Sequence, residues 1–212
     1  MTLRLTEIHP SVVHLPIALT PTALALDAIG AAAGSKGMMN AGRLLIGAAF
    51  ASAMAAAVTG ALAQGASRIE NEEANDLLTT HRTMNVALGV LLGGMAAERA
   101  VVRKPGRGYF AVGLLALGAM GYSAYLGGRM SYEHGVGVAR ADGLREKATI
   151  GRDSITDVVE ATVAAIGRAL QQSWDDIKAG RFLPALRPGS STPRGYERVP
   201  ARPEPAEMAS VG

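Results

Sequence analysis

No cysteine occurs among the 212 residues. That excludes structural disulfides, thiolate-held iron–sulfur clusters, covalently attached c-type haem and thiol catalysis. Aromatic residues are scarce, at 4%, and no basic face interleaves with them, so nothing points to nucleic acid as a partner. No Ser/His/Asp arrangement, phosphate loop or nucleotide fingerprint is present, and the sequence leaves open whether there is any enzymatic activity. The formal net charge is +3. Most cations sit in short connections beside apolar stretches, where membrane topology accounts for them. Only Arg4 precedes the first apolar stretch, which opens with His9 and Pro10, so no cleaved signal peptide is expected.

What the chain has in quantity is apolar sequence. Hydrophobic residues make up 49%, concentrated in four runs that each approach the roughly 20 residues needed to cross a bilayer. The expected spans are Val12 to Ala33, Gly42 to Ala66, Met84 to Val102 and Tyr109 to Gly128. The connections, residues 34–41, 67–83 and 102–108, are short, so neighbouring helices should pack antiparallel. Alanine and glycine dominate the second run, and Gly89 and Gly93 form a G-x-x-x-G. Such residues let helices approach closely in lipid, and could also leave room for a flat cofactor. Asp27 lies inside the first span, with Arg43 as the expected ion-pair partner; Glu98 beside Arg99 reads as a second structural pair.

The fold class is thus all-α: an integral membrane four-helix bundle over residues 1–140, an amphipathic helical extension over 141–183 and a disordered tail over 184–212. In the extension, Ile155, Val158, Val159, Val163, Ile166, Leu170, Trp174 and Ile177 recur at helical spacing, and Asp153 or Ser154 could cap the helix. It could lie on the membrane surface, pair with a partner or pack on its own bundle. From Pro184 onward Pro, Gly, Ser and Arg dominate.

The four histidines are arranged in step with the four runs. His9 and His14 open the first, His81 opens the third and His134 follows the fourth. If every run spans the membrane, all four lie on one side, whichever side that is. Pro10 suits the first position of a helix, leaving His9 at its cap, while Asn71 can cap a helix with Glu72 and Glu73 in its first turn. That places the histidines at a common depth. Imidazole is the commonest metal ligand, and two imidazoles from different helices suit a b-type haem. His14 and His81 are the expected axial pair, with His134 as a competitor and His9 in support; Arg82 and Arg129, with Arg68 and Arg140 nearby, could hold propionates. Gly60, Gly65, Gly127 and Gly128 could make room for the macrocycle. A zinc or copper site built from His9, His14, His81 and His134, with Glu133 contributing a carboxylate, is the other reading. The third is a non-enzymatic accessory or assembly subunit of a larger membrane complex, docking through residues 150–212.

Orientation follows from the connections. The first and third carry Lys36, Arg43, Arg99, Arg103, Lys104 and Arg107; the second sets Arg68 and Arg82 against Glu70, Glu72, Glu73 and Asp76. The positive-inside rule puts the first and third in the cytoplasm and the histidine layer outside, although Arg129, Arg140, Arg145 and Lys147 argue the other way.

The stretch Ile8-His9-Pro10-Ser11-Val12-Val13-His14-Leu15-Pro16-Ile17-Ala18-Leu19 resembles the start of a family of bacterial predicted membrane proteins of unknown function, with a signature close to His-Pro-x-x-Val-His-Phe-Pro-Ile-Ala. Two further segments match: His81-Arg82 leading to Asn85, and Gly127-Gly128-Arg129-Met130-Ser131-Tyr132-Glu133-His134-Gly135-Val136-Gly137-Val138. Leu15 replaces the family's usual Phe. The resemblance covers roughly residues 5–140 and leaves out the amphipathic helix and tail. It implies four transmembrane helices, a bacterial inner membrane location and a likeness to two-haem membrane cytochromes, and no established reaction.

Overall fold

A computed structural model describes residues 3–67, 69, 71–138, 149–150 and 155–186. Four long helices follow one another: α1 (Leu5–Ala33), α2 (Lys36–Ala66), α3 (Glu72–Val101) and α4 (Arg107–Tyr132). A shorter helix, α5 (Ile155–Lys178), and a 3-10 turn at Pro184–Leu186 come after them. Two-residue strands β1 (Leu3–Arg4) and β2 (Thr149–Ile150) pair antiparallel, Leu3 opposite Ile150. All four long helices are long and apolar enough to cross a membrane. They form the expected integral membrane bundle, with α1 packed on α2, α2 on α3, α3 on α4, and α4 back on α1. In that cycle α1 and α3 are diagonal neighbours.

Each helix runs further than its apolar run suggested, because the polar residues at the ends are caps and first turns. Between α1 and α2 the link is Gly34 and Ser35 alone. Gly34 has φ of 66°, a left-handed turn that glycine adopts without steric cost. Ser35 then caps α2, its Oγ accepting from the Met38 amide at 3.4 Å. Asn71 caps α3 as expected, its Oδ1 accepting from the Ala74 amide at 2.6 Å, with Glu72 and Glu73 in the positive first turn. At the other end the amide of Val102, expected inside the third span, closes α3 by donating to the Glu98 carbonyl at 2.7 Å. Pro10 does not open α1. The helix starts at Leu5 and takes in Pro10, Pro16 and Pro21, each removing one backbone bond that a membrane helix tolerates when neighbours cover the freed carbonyl. His9 is therefore a helical residue and not a cap.

The bundle packs through small residues. A Cβ added to Gly42 would stand 2.5 Å from Asp27 Oδ1 and 3.0 Å from the Ala23 carbonyl, so α1 and α2 approach to a distance only glycine permits. Gly89 and Gly93 do not leave room for a cofactor: Met54 and Phe50 of α2 fill those notches, at 2.9 and 3.1 Å from a built Cβ. The main core joins Ala23, Leu24, Ile46, Leu88, Leu92 and Met95 to Tyr109, Ala116 and Met120. A smaller one, Leu77, Leu126 and Met130, lies toward the α3 start and α4 end. Outside, Leu15, Leu44, Val86, Val90, Leu114 and Leu115 are exposed along the helix flanks. A soluble protein would bury such a belt, and lipid accounts for it.

The amphipathic helix packs on its own bundle. α5 lies against α2 and α3, with Ala165 and Asp176 buried. The chain then stays on the bundle past the expected start of the tail. Pro184 is buried and the Ala185 amide donates to Thr80 Oγ1 at 2.9 Å. The tail beyond residue 186, and the expected cap at Asp153 or Ser154, lie outside the described residues.

Candidate functional site

Two ends of the bundle carry polar side chains inside, and they are built differently. At the end formed by the close of α1, the start of α2 and the close of α3, Asp27 pairs with Arg99 and not with Arg43. Arg99 Nη2 donates to Asp27 Oδ1 at 2.8 Å and Nε donates to Oδ2 at 3.1 Å, a two-pronged bond. Both side chains are fully buried. The guanidinium also donates to the carbonyls of Met39 at 2.7 Å and Arg103 at 2.8 Å, and sits 5.8 Å from the centroid of the Tyr109 ring. Arg99 thus spends its donors on α1, the α2 start and its own helix end. That is the condition under which a buried ion pair is tolerated.

At the other end lie the start of α1, the end of α2, the start of α3 and the end of α4. Here His9 and His81 meet across the diagonal of the bundle, ring centroids 6.5 Å apart and planes at 86°. The His9 Nδ1 bonds the Ala56 carbonyl at 2.9 Å; the His81 Nδ1 bonds the Ser123 carbonyl at 2.9 Å and stands 3.1 Å from the Ser123 hydroxyl. A carbonyl only accepts, so in both rings Nδ1 carries the proton and, in the neutral imidazole, Nε2 carries the free lone pair. Neither Nε2 makes a hydrogen bond among the described residues. A backbone carbonyl on one ring nitrogen that leaves the other to a metal is the usual second shell of a ligating histidine. Glycines make both seats: a Cβ on Gly60 would stand 3.0 Å from the His9 ring, and one on Gly127 3.5 Å from the His81 ring. These two glycines were expected to clear space for a macrocycle, and they seat the imidazoles instead. Gly65 lies toward α5, its built Cβ 3.8 Å from Arg168.

His14, the expected partner of His81, is elsewhere. It is exposed, its Nδ1 donating to the Pro10 carbonyl of its own helix at 2.6 Å. Five residues of α-helix rotate a side chain by about 140°, so His9 and His14 cannot both face the interior, and the bundle takes His9. His134 is separate again. Its Nδ1 is 3.4 Å from the Asn71 amide nitrogen, and its Nε2, buried and without a hydrogen-bond partner, lies 3.9 Å from Glu73. One ligand atom from each of Glu73, Glu133 and His134 falls within 4.8 Å of the others. Arg129 occupies the middle of that group, with Nη2 at 3.0 Å from Glu73 and 2.7 Å from Glu133. A guanidinium between the two carboxylates already neutralises them, so a cation there would meet opposing charge. Hydrogen bonding to Arg129 holds the Glu133 carboxyl below its usual range.

The two arginines expected to hold propionates are engaged within the protein. Arg82 makes an ion pair with Asp176 of α5 and donates to Gln172 at 3.1 Å; Arg129 bridges Glu73 and Glu133. Arg68 and Arg140 lie outside the described residues. Sequence reasoning gave His9 a supporting place in the haem reading and a ligand's place only in the zinc or copper reading, and it missed Ser123 and Asp176. The 140° offset between His9 and His14 would have forced a choice between them. Nothing in the sequence marks Ser123, a lone hydroxyl in an apolar run, as the seat of His81.

No curated protein and no solved structure matches the chain. The model of one family, described as a predicted membrane protein (DUF2231), matches residues 6–140, all four long helices and the histidine end included. The chain belongs to that family of membrane proteins.

Proposed function

We propose that this membrane protein holds a metal between His9 and His81 and passes electrons through it, the metal being the iron of a b-type haem. The observation that carries the reading is the ring pair itself: two backbone-anchored imidazoles from diagonal helices, 6.5 Å between centroids, with both Nε2 atoms uncommitted. Two imidazoles that share one metal stand at most roughly 6 Å apart between centroids, from two metal–nitrogen bonds of about 2.0 Å and the ring radii. Zinc sites use three or four protein ligands, and only two histidines converge here. Two histidine nitrogens and no thiolate would suit a b-type haem, which would supply one-electron transfer when bound. His9 and His81 would hold the metal, the carbonyls of Ala56 and Ser123 would fix the rings, and Arg82 and Arg129 would offer donors to propionates only in competition with their present acidic partners. The location that suits this reading is a bacterial cytoplasmic membrane with the histidine end outward, because Lys36, Arg43, Arg103, Lys104 and Arg107 cluster at the opposite end.

The test is an oxidised-minus-reduced absorption spectrum of the full chain in mild detergent, with metal content from the same sample. A Soret band with sharp α and β bands is expected, lost in His9→Ala and in His81→Ala and retained in His14→Ala. A colourless, metal-free protein sinks the reading. So does a spectrum that survives both of the first two substitutions.

A further inference from the structure

A cavity of about 500 Å³ opens where α5 lies across the end of α2 and the start of α3. Its charged lining is Arg82, Arg168, Arg181, Asp175 and Asp176, three guanidiniums against two carboxylates, and Gln64, Asn75 and Gln172 are among the neutral polar groups beside them. The carboxylates are already paired: Asp175 with Lys178 at 3.0 Å, Asp176 with Arg82 and with Arg181, the latter at 2.8 Å. What is left over is donor capacity. Arg168 is exposed and has no ion-pair partner among the described residues. Arg82 Nε is buried without a hydrogen-bond partner. Gln172 accepts on Oε1 from both Gln64 at 2.7 Å and Arg82 at 3.1 Å, which leaves its amide N–H groups to spare. A cavity whose carboxylates are paired and whose cations include an unpaired guanidinium selects an oxyanion, and guanidinium forks fit phosphate geometry.

The surroundings favour a source. Val159, Val163, Leu170, Trp174 and Ile177 form an exposed apolar row on α5, about 120° around the helix from the cavity-lining Ala165, Ala169 and Gln172. A helix that packs on a bundle by one face and exposes a second apolar row ending in tryptophan is suited to the headgroup boundary of a bilayer. We propose that this cavity binds a phosphate group, with Arg168 and the Gln172 amide as donors. The membrane supplies it as the phosphodiester of an anionic lipid whose chains lie along the apolar row. The proposal is independent of the His9–His81 centre.

The experiment titrates the full-length protein in neutral detergent micelles with phosphatidylglycerol and, separately, with inorganic phosphate, following the dissociation constant. Arg168→Gln is the test variant, since its side chain is exposed and its loss leaves no buried charge unpaired. Lys36→Gln, at the opposite end, is the control. Saturable phosphatidylglycerol binding that weakens about ten-fold or more in R168Q and is unchanged in K36Q supports the site with a lipid as its source, as expected for one lost charge-assisted bond. Inorganic phosphate binding of its own, lost in R168Q, supports the site with a soluble phosphate as the source. If neither ligand distinguishes the wild type from R168Q, the proposal is overturned.

Discussion

The Asp27–Arg99 end and the His9–His81 end are both polar, both inside the bundle and both assembled from helices distant in sequence. At the first, the carboxylate and guanidinium take each other, and the guanidinium turns its remaining donors on carbonyls of its neighbours. At the second, each ring spends one nitrogen on the backbone and keeps the other. A closed set of partners holds helices together; a set with one atom per residue left over is ready for something the chain does not contain. A ring nitrogen with a free lone pair is a ready ligand atom, so the uncommitted nitrogens mark where ligand chemistry is to be looked for.

The sharpest way to break the contrast is to remove one member of the ion pair. Arg99→Ala leaves Asp27 buried and unpaired, and a loss of about 3–5 kcal/mol is expected, read as unfolding by a denaturing detergent titrated into the mild one. Asp27→Ala should match it, while Arg43→Ala, the partner that the sequence suggested, should stay near wild type. Gly42→Ala presses a methyl onto Asp27 and the Ala23 carbonyl, with an expected cost of about 1–3 kcal/mol by the same titration. At the histidine end, His81→Ala should cost about 0.5–1.5 kcal/mol for one net hydrogen bond, measured on metal-free protein. A loss as large as that of Arg99→Ala would make His81 a second structural latch and erase the distinction. The smallest effect is the pH response of Glu133. Its carboxyl is held below the ordinary value of 4.5 by Arg129, so its contribution is fully present above that value and is lost as pH falls below it through the depressed one. A small loss of stability over that acid range, absent in Glu133→Gln and weaker in high salt, is expected because the pair is partly exposed.

The four spans and the one-sided histidines were legible because long apolar runs and their order along the chain are local properties. The Asn71 cap was legible for the same reason. The starts of α2 and α4 were set late because Lys36 and Arg107 look like loop residues. Asp27 and Arg99 are 72 residues apart, and no local pattern joins them; Arg43 is merely nearer in sequence. The choice of His9 over His14 follows from helix rotation together with which face of α1 meets the bundle, and only packing supplies the second. Arg82 read as a free cation because Asp176, 94 residues away, belongs to a helix whose apolar pattern concealed a buried acid.

The Asp27–Arg99 pair has one more consequence, set by the electrical field across the bilayer. A membrane potential does work on net charge, about 2.3 kcal/mol per elementary charge per 100 mV. Opposite charges joined at 2.8 Å and moving with the same helices experience equal and opposite work. This buried interhelical tie is therefore insensitive to voltage, and the bundle should keep its packing whether the membrane is energised or not. A variant that neutralises one partner loses that indifference along with its stability, since the charge left behind is one the field can pull.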